Sequence, residues 1–198
     1  MYRLYDFPPS GNSYKVRLLL TQLEISFEIV PVNILKKETR TKEFLAKNPN
    51  GRIPLLEIEP GQFLAESNAI LFYLSQNTEY FPQDSWQQAK VMEWLFFEQF
   101  SHEPHLATSR YWITILGKAE EYQAELAKKQ KLGYAALEVM EKHLSKNDFF
   151  VGNKYTIADI SLFAYTHVAD EGNFDLSRFP AILAWLERIK SQPKYITI

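Results

Sequence analysis

Two short stretches carry the chain's best chemical possibilities. They are Asn48-Pro49-Asn50-Gly51-Arg52-Ile53-Pro54-Leu55-Leu56 and Leu64-Ala65-Glu66-Ser67-Asn68-Ala69-Ile70. An Asn-Pro-Asn-Gly turn delivers Ile53-Pro54 into an apolar run. Proline is tolerated in a sheet only at an edge, a strand start or a tight turn, so Pro54 is placed at the start of an edge strand. The Ile53-Pro54 bond is a candidate cis bond, which would aim the Ile53 N–H and C=O outward. After the Glu59-Pro60-Gly61 turn, a second short strand ends in an acid and a hydroxyl, Glu66 and Ser67, just before an apolar helix. The first N–H groups of a helix lack intrahelical partners. A strand backbone open to solvent beside such a helix end suits a short peptide with a free α-carboxylate. Strand addition holds its backbone and the helix end holds its charge.

The elements that must position these groups follow from periodicity. Arg3 to Phe7 alternates as a first strand. Pro8-Pro9-Ser10-Gly11-Asn12-Ser13 is a loop of breakers and cap residues feeding a helix from Tyr14 to Leu23. Ser26 to Val32 is a second strand, Thr39 to Lys47 a short helix, Leu55 to Ile58 and Gln62 to Leu64 a hairpin, and Ser67 to Gln76 a third helix. The order β-α-β-α-β-β-α requires a crossover and a parallel strand pair, and its closing hairpin makes the sheet mixed. This is a thioredoxin-like arrangement over residues 1–78. Residues 79–85 form a linker, and beyond them strand signals vanish, so 86–198 is expected to be all-α.

In that second half, Ser85 with Gln88 has the spacing of a capping box. Trp86, Ala89, Met92, Phe96 and Phe100 mark one face of the helix that follows, and Val91, Trp94, Leu95 and Phe97 widen its apolar surface. A helix apolar nearly all round is buried on more than one side. A long helix from Lys118 to His143 is expected to turn Ala124, Leu126, Ala127, Leu132, Ala136, Leu137, Met140 and Leu144 inward. Thr156-x-x-Asp159 opens a further helix as a capping box, and Pro180 opens the last one. His102 and His105 stand three apart. A metal site would need further ligands that no nearby acid pattern supplies, so a surface or pocket-lining role is expected for both.

Composition narrows the function. The 198 residues are 46% apolar with a formal net charge of −2, enough for a packed core and too little positive charge for nonspecific nucleic-acid binding. Cysteine is absent, which excludes disulfides, thiolate metal sites and cysteine nucleophiles belonging to the chain itself. No apolar run approaches the ~18 residues of a membrane span. Met1 to Asp6 lacks the apolar core of a signal peptide, so a cytoplasmic location is expected.

Asn-Pro-Asn-Gly-Arg-Ile-Pro-Leu-Leu followed by Glu-Ser-Asn-Ala-Ile resembles the glutathione-site signature of the glutathione transferase superfamily. Tyr155-Thr156-Ile157-Ala158-Asp159-Ile160-Ser161 resembles the capping motif of its helical domain. With the Ser10 loop, the resemblance covers nearly the whole chain and points to a bacterial-type cytosolic member with a serine- or asparagine-type active site. It implies glutathione as co-substrate, a small hydrophobic electrophile as second substrate, a homodimer and no metal.

The resemblance also implies roles. A free thiol of pKa ~8.5 is only about 3% ionised at pH 7, and lowering that value by ~2 units takes about 2.7 kcal/mol. A hydrogen bond to a charged acceptor supplies roughly 1.5–3 kcal/mol, and a helix N-terminus adds about 0.3–1 kcal/mol. One donor at the start of the first helix nearly suffices, and the chain offers Ser10, Asn12 and Ser13 there. In serine-type members the serine lies six residues before an apolar helix residue, as Ser10 does before Val16. In some bacterial members an asparagine two positions on contacts the sulfur, as Asn12 would. Asn12 or Ser13 is also expected to cap the helix. Ile53, beside Pro54, would meet the cysteinyl unit, Glu66 and Ser67 the γ-glutamyl group, and Arg40 and Arg52 the glycyl carboxylate. His105, Arg110 and Tyr111 lie where the family lines its electrophile pocket. Two alternatives stand beside transfer, with peroxide reduction as a companion activity. One is an isomerase of the maleylacetoacetate type, suggested by Ser13-Tyr14-Lys15-Val16-Arg17, although that class has Ser-Ser-Cys where this chain has Ser10-Gly11-Asn12. The other is a non-catalytic binding module.

Overall fold

The computed structural model describes all 198 residues, which divide into two compact units, Met1–Gln76 with Pro193–Ile198, and Asn77–Gln192. The first contains β1 (Tyr2–Asp6), α1 (Gly11–Gln22), β2 (Phe27–Pro31), α2 (Lys42–Lys47), β3 (Leu55–Glu59), β4 (Gln62–Ala65) and α3 (Ser67–Ser75). Its sheet has the order β2-β1-β3-β4, with β1 and β2 parallel and the other pairs antiparallel. The mixed thioredoxin-like sheet expected from the element order is therefore present. Leu4 on the central strand and Leu55 and Leu56 beside it are fully buried, as are Tyr14, Val16, Leu18, Leu19 and Leu20 of α1. The terminal segment belongs to this unit: the Tyr14 hydroxyl donates to the Ile196 carbonyl at 2.7 Å, and Lys194 pairs with Glu24.

Helix α1 starts three residues earlier than its apolar period indicates. Ser10 Oγ accepts from the Ser13 N–H at 3.3 Å, and the Ser10 N–H returns to the Phe7 carbonyl at 2.8 Å across the two prolines. The cap is thus Ser10, not Asn12 or Ser13, and Gly11, Asn12 and Ser13 form the first helical turn. Periodicity missed this because a polar first turn carries no apolar signal.

The second unit is α4 (Ser85–Phe97), α5 (Glu103–Arg110), α6 (Gln123–Leu144), α7 (Ile157–Thr166) and α8 (Pro180–Lys190), with no strand longer than a single bridge. The α4 cap is Asp84, which accepts from the Gln87 N–H at 3.0 Å, while Gln88 donates to the Pro82 carbonyl. The Ser85–Gln88 box is therefore not formed, because a carboxylate one residue earlier takes the cap. The chain does not break at Pro104. It passes through π-helical turns at Glu98–His102 and Tyr111–Ile115 on either side of α5, and such turns absorb irregularities in a helix. In α6, Leu126, Ala136, Leu137, Met140 and Leu144 point inward, but Ala124, Ala127 and Leu132 are exposed. Gly133 is buried instead, and a Cβ there would come within 2.5 Å of the Phe174 ring, so only glycine fits.

The Thr156–Asp159 capping box is present and lies at the centre of this unit. Asp159 is fully buried and accepts four hydrogen bonds, from the Phe150 N–H, the Trp185 indole, and the Thr156 N–H and hydroxyl. Burial raises its pKa to about 6, against the opposing pull of the four donors. His167, stacked on Phe163 at 4.4 Å, donates through Nδ1 to the Phe163 carbonyl.

Burial, aided by the Arg110 and Lys190 charges, lowers His167 from 6.5 to about 4. Between those two values the unfolded chain binds the proton and the folded chain does not. The neutral imidazole therefore contributes stability that is complete above pH 6.5 and is lost as pH falls toward 4. The full loss is about 3 kcal/mol. Asp159 acts oppositely, since its folded value of about 6 exceeds the ordinary 3.8, so protonation below about 6 favours the fold. Urea unfolding of His167→Asn at a series of pH values is expected to show a shallower acid-side loss than the parent. Parallel pH curves for the two proteins would contradict the assignment.

Candidate functional site

The strand register brings three chain turns to one end of the sheet. Tyr5 lies opposite Leu55 and Leu55 opposite Ala65, so the exit of β1, the entry of β3 and the exit of β4 are neighbours. The residues after β1 lead to Ser10, those before β3 are Ile53 and Pro54, and those after β4 are Glu66 and Ser67. The β1 exit is anchored by Asp6, which takes Arg17 Nη1 on both oxygens at 2.7 Å, while Arg17 Nη2 donates to the Pro8 carbonyl at 2.8 Å. The ion pair is almost wholly buried.

Ser10 uses its oxygen to accept at the helix cap, which leaves the hydroxyl proton for an outside acceptor. Asn12, one residue into α1, is partly exposed. Its Oδ1 accepts from the Ser67 hydroxyl at 3.3 Å, and Ser67 Oγ in turn accepts from Lys15 Nζ at 3.3 Å. This polar chain links α1 to the first turn of α3. The Ile53-Pro54 bond is cis, as expected, with Pro54 buried and Ile53 partly exposed.

Glu66 is exposed and has φ 69° and ψ 115°, a backbone conformation rarely adopted by a side-chain-bearing residue. Asn50 Nδ2 donates to its carboxylate at 3.4 Å, and Arg40 Nη1 donates to the Asn50 carbonyl at 3.1 Å. Arg40 therefore reaches the site's edge through Asn50. Gly51 has positive φ, and a Cβ there would meet the Arg40 guanidinium at 2.5 Å, so only glycine lets the arginine lie across the turn. Arg52 is exposed, and its carbonyl accepts from Asn48 at 2.8 Å. Asn48 and Asn50 read in the sequence only as turn formers, yet both bind the turn together and Asn50 touches Glu66. Tyr5 is a buried strand residue whose hydroxyl donates to Glu57 at 3.1 Å, and burial raises its pKa.

In the helical unit the candidates separate. His102 is fully buried with Nε2 at 2.9 Å from Thr166 Oγ1, so it is a core residue and not the surface or pocket group expected. Its helical neighbours gave no hint of the Thr166 partner, which lies 64 residues away. His105 is partly buried, and burial followed by the Lys129 charge lowers its pKa. Arg110 is buried and donates to Glu171 at 2.7 Å. Tyr111 begins the second π-helical turn and is partly exposed.

A thioredoxin-like unit that gathers a cis-proline turn, an acid–serine helix start and a hydroxyl–amide helix start, followed by an all-α unit, defines a glutathione-handling class of protein. Residues 1–76 match the family model of the glutathione S-transferase N-terminal domain and residues 94–193 that of the C-terminal domain. The chain belongs to the glutathione S-transferase family. It is 31% identical to the disulfide-bond oxidoreductase YfcG of Escherichia coli, with 98% of this chain and 92% of that protein covered. Among solved structures it resembles a glutathione S-transferase from Pseudomonas fluorescens, at 49% identity and a TM-score of 0.97 over 99% of this chain and 98% of the other. A second P. fluorescens family member, solved with two glutathione molecules bound, is 26% identical with a TM-score of 0.85, covering 98% and 89%.

The backbone at Glu66 yields a test that needs no ligand. Glycine adopts positive φ without steric cost, so Glu66→Gly is expected to be more stable than Glu66→Ala by about 1 kcal/mol. Urea denaturation compares the two, and equal stabilities would show that no strain resides there.

Proposed function

We propose that this protein is a glutathione transferase that ionises the glutathione thiol and joins it to small hydrophobic electrophiles. The observation that carries this is the meeting, in one unit of a family member, of two donors at the α1 start with the Glu66–Ser67 start of α3. Ser10 and Asn12 are the donors to the thiolate. The Ser67 backbone N–H at the α3 start and the Glu66 carboxylate receive the γ-glutamyl carboxylate and amine, the Ile53 backbone beside cis-Pro54 receives the cysteinyl unit, and Arg40 and Arg52 attract the glycyl carboxylate. His105, Arg110 and Tyr111 belong to the region that admits the electrophile. Catalysis then consists of stabilising the thiolate and holding it beside its target, with no covalent step on the protein. The setting is cytoplasmic detoxification, with hydroperoxide reduction as a second use of the same thiolate.

The kinship with a disulfide-bond oxidoreductase favours a second reading. The chain has no cysteine, so exchange with a disulfide would run through glutathione alone. Two glutathione thiols would be oxidised to glutathione disulfide as the substrate disulfide is reduced to two thiols, with the thiol protons passing to the products.

Turnover of an aryl halide, a hydroperoxide and a small disulfide by the purified protein separates these uses, and maleylacetoacetate tests for isomerisation. The absence of glutathione binding and of all turnover would leave only a structural module. Ultraviolet titration of bound glutathione examines the donors. Ser10→Ala or Asn12→Ala is expected to raise the thiol pKa by more than about one unit, the loss of one charge-assisted hydrogen bond. Unchanged values in both single variants and in the double variant would remove these residues from the mechanism.

The active form is a homodimer. Trp86, Phe96 and Phe100 are 72%, 67% and 83% exposed on the continuous helix that begins at Ser85. Monomers seldom leave such apolar surface in water, and a two-fold contact between copies is the commonest cover. Sedimentation at micromolar concentration is expected to give twice the 23.2 kDa chain mass, and Phe96→Glu to shift the protein toward monomer. A wild-type species at the single-chain mass would refute the dimer.

A further inference from the structure

We propose that Lys15 is a positioning residue for the thiolate: through the Ser67 hydroxyl it fixes which edge of the Asn12 amide is turned to the substrate sulfur. This rests on the proposal that Asn12 donates to that sulfur.

Lys15 lies on α1, three residues after Asn12, and is fully buried, one of the largest such side chains in the chain. Its ammonium stands 3.3 Å from Ser67 Oγ, and Ser67 Oγ stands 3.3 Å from Asn12 Oδ1. The direction of this chain is fixed by chemistry. An ammonium has only donors, so Ser67 must accept from Lys15. A hydroxyl has one proton, and with Lys15 on its oxygen that proton is available for an acceptor on the far side. Accepting from a cation also polarises the O–H and makes it a stronger donor. The acceptor it meets is the Asn12 amide, which offers either a carbonyl or an NH₂ group. A strengthened donor selects the carbonyl, and this turns Nδ2 away from Ser67. Without Lys15 the hydroxyl accepts as readily as it donates. Asn12 could then rotate by half a turn, give its NH₂ to Ser67 and present a carbonyl oxygen to the sulfur. An oxygen facing a thiolate repels it, so the wrong rotamer would oppose ionisation. Burial makes the selection firmer, because Ser67 is only 4% exposed and little water can substitute for either partner.

A purely structural lysine would serve the fold without touching the thiol. The test therefore reads the ionisation of glutathione bound to the folded protein, by ultraviolet absorbance against pH. Lys15→Met, which keeps the length and removes the donor, is expected to raise the bound thiol pKa by about one unit. Lys15→Arg is expected to stay near the parent value. Adding Lys15→Met to Asn12→Ala is expected to give no further rise, since the lysine acts only through the amide. Where Lys15→Met does not fold by circular dichroism, Ser67→Ala cuts the chain at its middle. It is expected to raise the pKa likewise, again with no addition to Asn12→Ala. A folded Lys15→Met or Ser67→Ala that binds glutathione with an unshifted thiol overturns the proposal, as does a shift that adds to that of Asn12→Ala. Failure of Asn12→Ala itself to move the thiol would instead strike the underlying assignment, and failure of the parent protein to bind glutathione would strike the function.

Discussion

One buried ion pair fixes the geometry on which the first unit's chemistry depends. Arg17, on α1, takes both oxygens of Asp6 at the end of the central strand and also holds the Pro8 carbonyl. The strand end, the proline turn and the helix are thereby joined at one guanidinium. Removing one partner of such a pair leaves an uncompensated charge and typically costs about 3–5 kcal/mol. The pair also sets where Ser10 emerges, because the loop between Asp6 and Gly11 has little freedom left. The hydroxyl that caps α1 is then at the same sheet end as cis-Pro54 and Glu66, with the neighbouring strands supplying the register.

The two units use buried polar groups differently. In the first, Lys15, Ser67 and Asn12 form a chain that runs from the interior to a partly exposed amide, so its polarity is delivered to the surface. In the second, Asp159 gathers four donors and His102 meets Thr166, both wholly inside. Those groups are closed on themselves. They organise α7 and its neighbours, and they offer nothing to a ligand. A buried polar group is thus informative about function only when its partners lead outward. Glu66 adds a further contrast, since it holds an unfavourable backbone conformation in an exposed position where packing alone would not require one. Strain of that kind collects at sites that bind or react.

The amphipathic pattern of α4 shows the limit of periodicity. Its two apolar faces were both apparent from the sequence, but which one the chain itself covers was not. Val91, Trp94 and Leu95 are buried, and the face bearing Trp86, Phe96 and Phe100 stays open. A period of 3.6 residues identifies faces and carries no information about what lies opposite them.

What the sequence determined by itself is local. Alternation and helical spacing gave the β-α-β-α-β-β-α order, proline chemistry placed the cis bond at Ile53-Pro54, and Thr156 with Asp159 announced the capping box. Each depends on residues within a few positions of one another, where backbone sterics and hydrogen-bond reach are fixed by spacing. The tertiary structure decided whatever depends on partners distant along the chain. It sent His102 into the core to meet Thr166, 64 residues away. It also joined Lys15 to Ser67 and Asn50 to Glu66. Those contacts form only when the sheet register and helix packing bring remote side chains to hydrogen-bonding distance, and no periodicity in a single chain encodes that meeting.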